Sequence, residues 1–332
     1  IIIVARLFYI QIASCADFRS MAQGNRRREI TIAAERGNFF DRNGKQLTTN
    51  VPKFSLAVRP SDIPKNNIEF NSAVSRLAAL TKKNNAEIYA TLKDYRDFSF
   101  ASVVILDDIP YETAVQLLIA ASDLPGILVL RGSKRAYTSS LSLSHVLGYE
   151  SKIQRDEFNE LSSSGYLPSD SLGRTGLEKT YESRLRGVYG WRSVEVNAKG
   201  SEQTTLSEQA PVPGSHVRLT IDAEMQSALE KALENNLKKI RKQRAAAIAL
   251  DSNTGAVLAL VSLPAYNNND FAGGIAADKY QSYITDPNQP LFNRGIAGEY
   301  PSGSTIKPAL AVGALAEGVI NGKSAIASVG GI

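Results

Sequence analysis

NRGIAGEYPSGSTIKPALAVGALAEG, residues 293–318, closes in an alanine- and leucine-rich run that reads as a buried helix, and Ser304, Thr305, Ile306 and Lys307 open that run as an S-x-x-K tetrad. Two residues three apart on a helix share one face, so the lysine nitrogen can lie beside the serine hydroxyl. A serine hydroxyl is a poor nucleophile until a base takes its proton, and a lysine serves as that base only while neutral. At its ordinary pKa of about 10.4, roughly one lysine in 2,500 is neutral at pH 7. A working site therefore needs a dry pocket, nearby positive charge or the positive end of a helix to depress that value. The same helix end offers backbone N–H groups to an oxyanion. Four common residues also fit a helix N-cap followed by a solvated lysine, so the neighbouring sequence has to decide.

Around the tetrad, other nucleophile and phosphate motifs fail on spacing. There is no G-x-S-x-G elbow, which removes an α/β-hydrolase reading of Ser304. Gly318, Gly322, Lys323 and Ser324 resemble a phosphate-binding loop with one residue too few, and Gly318 is expected to cap the helix that begins at Ser304. Arg174-Thr175-Gly176 mimics a Lys-Thr-Gly strand triplet, but it lies upstream in a loop before a helix.

Working back towards the N-terminus, AAAIALDSNTGAVLALVSLPAY gives two apolar runs joined by Asn253-Thr254-Gly255, the pattern of a hairpin with both strands buried. HVRLTID predicts a strand, and Ala223 to Arg241 a helix with Met225, Leu229, Leu233 and Leu237 as its apolar stripe. Pro211, Pro213 and Gly214 mark a domain boundary. Residues 172–191 predict a glycine-bounded loop and then one packing helix, with Leu177, Tyr181 and Leu185 on one face and Gly187 at its end. His145, alone in SHVLGYE before an apolar strand, reads as structural rather than catalytic. Residues 61–130 carry helical patterns in AVSRLAAL, AEIYATL and PYETAVQLLIAA, and the segment before them alternates as strands around the Asn43-Gly44 turn.

The 332 residues suggest two domains, and 43% hydrophobic with 21% charged residues is ordinary for a globular chain. A net charge of +5 is compatible with an acidic polymer or a membrane surface and falls far short of a nucleic-acid signature. One cysteine, Cys15, excludes an intrachain disulfide, and two histidines without a cysteine cluster give no metal-ligand spacing. The chain opens on IIIVARLFYIQI, too short to span a bilayer and read as the outer end of a transmembrane anchor. An ordinary core segment, or a lipoprotein box with Cys15 acylated, reads the same residues. Arg26, Arg27 and Arg28 follow as a basic run suited to lipid or solvent.

Several blocks together resemble one family. NRGIAGEYPSGSTIKP resembles the active-site segment of class B penicillin-binding proteins, whose acylation motif is S-x-x-K. RLFYIQI followed by NRRREITIAAERGNFFDRNGKQL resembles their juxtamembrane segment and first pedestal strands. SHVLGYE, GRTGLEKTYESRLRG, RLTIDAEMQSAL and ALDSNTGAVLALVSLPAYNNNDF each resemble family blocks in the family's order, so the resemblance covers nearly the whole chain. The form GRTGLEKTYESRLRGVYG is most similar to the elongation-type branch, the penicillin-binding protein 2 group. Family members usually carry proline where Ser302 stands and phenylalanine where Ile306 stands. Both changes leave Ser304 and Lys307 in place. Family transpeptidase domains continue through an S-x-N loop and a K-[ST]-G strand, and neither occurs in the 28 residues after Ser304 (305–332), so a fragment cut at both ends is expected.

The resemblance implies an α+β fold. Residues 1–14 would end a membrane anchor, 15–210 would form the pedestal, and 211–332 would begin a transpeptidase domain of helices around an antiparallel sheet. It implies a peptidoglycan D,D-transpeptidase of cell-wall elongation that uses serine acyl-enzyme chemistry, with Ser304 and Lys307 catalytic and neither cofactor nor metal. The expected partners are stem peptides ending in D-Ala-D-Ala, β-lactams, a SEDS-family glycosyltransferase and other elongation-complex proteins, with no nucleic acid. The location implied is the bacterial inner membrane, crossed once, with the domains on the periplasmic side. A non-catalytic scaffold for the polymerase and a penicillin-sensing receptor are the rival readings. The fragment alone is expected to be inactive.

Overall fold

The computed structural model describes residues 27–59, 63, 66–95, 102–121, 124, 126–138, 142–167, 169–196 and 202–325, together with 3, 8 and 9. The expected anchor end over 1–14 falls almost wholly outside these residues, as do Cys15 and Arg26. Among the described residues no helix is long and apolar enough to cross a membrane.

The chain enters through strands β1 (Arg27–Ile32), β2 (Phe39–Phe40) and β3 (Thr48–Val58). Between β2 and β3 the predicted Asn43-Gly44 turn forms. The Asp41 carboxylate accepts from the backbone N–H of Asn43 and of Lys45, each at 2.8 Å, and Gly44 takes φ +87°. Helices α1 (Asn67–Thr81) and α2 (Asn85–Tyr95), strand β4 (Val103–Ile109), helix α3 (Tyr111–Ala120) and strand β5 (Ile127–Tyr137) follow. The three helical patterns of the sequence sit on α1, α2 and α3. Strand β3 is the centre of an antiparallel sheet ordered β4-β3-β5, and it pairs with β5 from Thr48↔Tyr137 to Val58↔Ile127. Leu56, Val58, Phe70, Val74, Leu77, Leu117 and Ile127 close a first core between this sheet and the helices.

The far end of the same two long strands enters a second core, formed by Phe39, Leu47, Tyr137, Leu143, Leu147, Leu185 and Ile221. Around it lie α4 (Ser144–Leu147), β6 (Glu150–Lys152), α5 (Arg155–Leu161), β7 (Ser171–Gly173), α6 (Gly176–Thr180), α7 (Glu182–Leu185), β8 (Gly190–Val196) and β9 (Glu202–Gln209). Strands β1, β8 and β9 make a second antiparallel sheet. Gly148 has φ +74°, and a Cβ there would stand 2.0 Å from the Thr175 carbonyl oxygen, so only glycine lets α4 pack against the start of α6. The single helix predicted within 172–191 is two short helices, because Tyr181 (φ −103°, ψ 16°) leaves helical geometry between them. Leu177, Tyr181 and Leu185 still face the second core, and Gly187 ends the element at φ +75°.

After the Pro211–Gly214 break come β10 (Val217–Arg218), α8 (Ala223–Lys239), β11 (Ala245–Leu250), β12 (Val257–Leu263), α9 (Ala277–Thr285), α10 (Arg294–Ala297) and α11 (Lys307–Ala316). The strand expected over HVRLTID shrinks to the two residues of β10, which pair in parallel with β2. Asp222 caps α8 by accepting from the N–H groups of Glu224 and Met225. The stripe predicted for α8 is correct at Leu229, Leu233 and Leu237, which pack against Val261 and Leu263. Met225 is 41% exposed, and its neighbour Gln226 is fully buried instead. The Gln226 amide accepts from the Leu260 N–H at 2.7 Å and donates to the Leu260 and Ser142 carbonyls, so a polar residue fills the buried position. The β11–β12 hairpin forms, but only β12 is well buried. Ile248 and Leu250 on β11 are 47% and 58% exposed, because no described element covers that side. The whole is an α+β fold of small antiparallel sheets with helices.

Candidate active site

Residues Gly303–Ile306 form a 3-10 turn that leads directly into α11. Side chains three apart eclipse one another in 3-10 geometry, so Ser304 and Lys307 lie along one edge of the turn. The Lys307 N–H donates to the Ser304 carbonyl, and Pro308 follows in the first turn of α11, where its missing N–H costs nothing. Gly318 ends the helix at φ +70°, as the sequence predicts. Ser304 and Lys307 are both exposed, and no hydrogen bond joins their side chains among the described residues. The expectation of a buried helix is corrected: α11 has no buried residue, and Leu310 and Val312 are 63% and 67% exposed. Its apolar composition is real, but no described surface packs against it.

The approach to this turn is held firmly. Arg294 is 4% exposed, and its guanidinium donates to the carbonyls of Gln289 at 3.0 Å, Phe292 at 3.2 Å and Asn288. Burial pulls its pKa below the usual arginine value. The Arg294 N–H donates to Ser262 Oγ, which donates in turn to the Phe292 carbonyl, tying residues 292–294 of the approach to β12. Asn293 caps α10 through the Gly295 N–H. On the other side His145 lies buried in α4, with Nε2 2.8 Å from the Pro290 carbonyl oxygen and its ring edge-on to Tyr266. Burial pushes its pKa down to about 4 against the pull of that hydrogen bond. An open cleft of about 720 Å³ lies beside this approach, lined by Arg244, Gln289, Arg294, Glu299 and Tyr300 among others; Ser304 and Lys307 are not in its lining.

The NNND run, 267–270, fastens the C-terminal part of the chain to the second core. The Asn269 amide accepts from the Tyr137 N–H and donates to the Tyr137 carbonyl, closing the end of β5 as a neighbouring strand would. Tyr266 OH and Asn268 Nδ2 both donate to the Ser144 carbonyl, and Phe271 stacks on Tyr149 at 3.9 Å.

A second constellation escaped sequence reasoning. Arg36, Arg135, Glu150, Glu178 and Glu182 meet in the interior, three carboxylates to two guanidinium groups. Glu178 and the Arg135 side chain are fully buried. Glu178 accepts from Arg36 Nη2 at 2.6 Å and from Arg135 Nε at 2.7 Å, and Arg36 Nη2 also reaches Glu182 at 2.6 Å. Burial lowers the Arg36 pKa, but Glu178, Glu182 and Glu150 outweigh it and hold the value above the ordinary one. Burial raises Glu150, which Arg36 only partly offsets. The available signal was charge set between glycines and apolar residues in AERGNFF and GRTGLEKTYESRLRG. Arg135 and Glu150 carried none. Among the described residues no group of three or more His, Cys, Asp or Glu is arranged to hold a metal ion.

Residues 31–219 match the family described as the penicillin-binding protein dimerisation domain, and residues 245–332 match the penicillin-binding protein transpeptidase domain. Over 324 residues the chain is 32% identical to the peptidoglycan D,D-transpeptidase MrdA of Escherichia coli (strain K12), covering 96% of this chain and 49% of that protein. MrdA of Acinetobacter baumannii is 29% identical over 99% of this chain and 48% of its own length. A solved complex between penicillin-binding protein 2 and MreC from Helicobacter pylori contains a similar chain, with TM-score 0.72 and 27% identity over 90% of this chain and 54% of that one. The chain thus spans about half the length of the curated relatives it matches.

Proposed function

The chain belongs to the class B penicillin-binding proteins of the penicillin-binding protein 2 type, and from that premise we propose that the whole protein is a peptidoglycan D,D-transpeptidase of cell-wall elongation. The observation that carries the mechanism is the eclipsed pair Ser304 and Lys307 at the start of α11. Lys307 takes the Ser304 proton as Oγ bonds to the carbonyl carbon of the penultimate D-Ala in a D-Ala-D-Ala stem peptide. The Ser304 N–H supplies one donor to the oxyanion. The amide C–N bond then breaks and the terminal D-Ala leaves with the proton. An amine of a neighbouring stem peptide then attacks the ester carbon, the bond to Ser304 Oγ breaks, and the amine's proton returns through Lys307 to Oγ. A β-lactam is trapped at the same serine. No step calls for a cofactor or a metal.

Residues 15–210 serve in this reading as the pedestal, 211–332 as the first part of the transpeptidase domain, and 1–14 as the end of a single inner-membrane anchor that leaves the domains in the periplasm. Partners are a SEDS-family glycosyltransferase and elongation-complex proteins. The relative in Helicobacter pylori, solved in complex with MreC, supports a partner of that kind here. Covalent labelling by a fluorescent penicillin tests the assignment. The full-length protein takes the label and Ser304→Ala loses it with the fold intact; label retained by the alanine variant overturns the assignment. The 332-residue chain alone takes little or none, since Ser304 and Lys307 stand in solvent.

A further inference from the structure

We infer that His145 is a positioning residue for Ser304, fixing from the pedestal side the turn that carries the nucleophile. The inference rests on the assignment of Ser304 above. A carbonyl oxygen only accepts, so the hydrogen bond to Pro290 at 2.8 Å requires His145 Nε2 to carry the proton. Nδ1 then accepts, and Ser144 Oγ lies 3.4 Å away. The imidazole is neutral, buried and set in one tautomer, with its ring held edge-on by Tyr266. A buried polar ring that served only to fill space would cost more than a hydrocarbon of the same shape. The one strong bond that His145 makes crosses to the segment that leads into Ser304.

That segment is itself held as a unit. Asn293 Nδ2 returns a bond to the His145 carbonyl at 3.4 Å, so the turn is gripped at both ends of the histidine residue. Arg294 folds the intervening residues onto itself through the Asn288, Gln289 and Phe292 carbonyls, which makes 288–294 a rigid block. Ser262 ties that block to β12 and His145 ties it to α4. With both ties the block has one orientation, and the 3-10 turn with Ser304 starts nine residues beyond Arg294, at Gly303. Without the imidazole bond the block keeps only the Ser262 tie and the longer Asn293 bond to the His145 carbonyl, which leave it freer to pivot about β12.

The test uses the full-length protein and two amides of different reach. Glutamine places an N–H where His145 Nε2 stands, and asparagine places one only at the Nδ1 position. Stopped-flow acylation by a fluorescent penicillin gives the rate constant and the half-saturating concentration, and a thermal melt gives the folded fraction. We expect His145→Gln to acylate within about threefold of wild type, and His145→Asn to lose about 10- to 100-fold in the rate constant while remaining folded, the usual scale for a misplaced reacting group. A merely structural histidine would change the melt and leave the acylation rate of the folded fraction unmoved. Asparagine acylating at the wild-type rate, or glutamine falling as far as asparagine, overturns the inference. If the wild type takes no label, or Ser304→Ala keeps it, the Ser304 assignment fails and the inference falls with it.

Discussion

Replacing Glu178 with alanine removes the carboxylate that both buried arginines share. In the native structure its Oε2 receives Arg36 Nε and Nη2, its Oε1 receives Arg135 Nε, and Tyr137 OH lies 3.4 Å from Oε1. The Arg135 side chain has no exposure to water, so it cannot recover the lost bond from solvent. It would keep the Gly37 carbonyl and the Asn38 and Asn50 side chains as neutral acceptors only. Breaking a buried ion pair by deleting one partner costs about 3–5 kcal/mol. At roughly 2–4 °C per kcal/mol for a domain of this size, the melting temperature should fall by about 6–20 °C. A far-UV circular dichroism melt of the 332-residue chain at pH 7 reads the change, with the exposed Glu160→Ala as a control expected within about 0.5 kcal/mol of wild type. The double change Arg135→Met with Glu178→Leu should cost less than the two single changes added together, because no charge is left buried without its partner. A Glu178→Ala melt within about 2 °C of wild type would refute the reasoning, since it would mean that the cluster is hydrated in solution.

His145 sets an acid limb of stability: its folded pKa of about 4 lies below the unfolded value of about 6.5. The unfolded chain takes the proton first, so stability is full above about pH 6.5, falls as pH drops towards 4, and loses about 3 kcal/mol from this group. Denaturant melts across that range should show the slope, and His145→Gln should flatten it. A second acid limb lies lower. Lys152, Ser55 and Lys53 overcome the effect of burial on Asp107 and hold its carboxyl at about 2, with Lys152 on β6 joined to Asp107 on β4. Asp107→Asn should therefore melt below wild type at pH 7, with the difference present above about pH 3.8 and gone near pH 2. Equal melts at pH 7 would remove the bridge from the account.

Much of the backbone was legible because its signals are local. Asn43-Gly44 marks a turn, Ala223 opens α8 and Gly318 ends α11, each through residues within one turn of the position they determine. The S-x-x-K spacing is likewise local, and the 3-10 turn preserves it by eclipsing Ser304 and Lys307. Burial was less legible. A four-residue stripe through Met225 and a neighbour at Gln226 differ by one position on α8, and only the arrival of β12 and the loop at Ser142 decides which side chain is enclosed. The same limit hid the charge cluster, whose members are up to 146 residues apart in the chain.

By itself the sequence determined several turns and helix ends, which family blocks the chain carries, and that a serine and a lysine lie three apart at a helix start. Those features depend on bonds between near neighbours, which the order of residues specifies directly. The tertiary structure alone decided that Arg36, Arg135 and three glutamates are buried together, that His145 grips the Pro290 carbonyl, and that no described element covers α11 or one side of β11. Each of those outcomes depends on which remote surfaces meet, because desolvation and charge pairing belong to the environment that packing creates rather than to the residue.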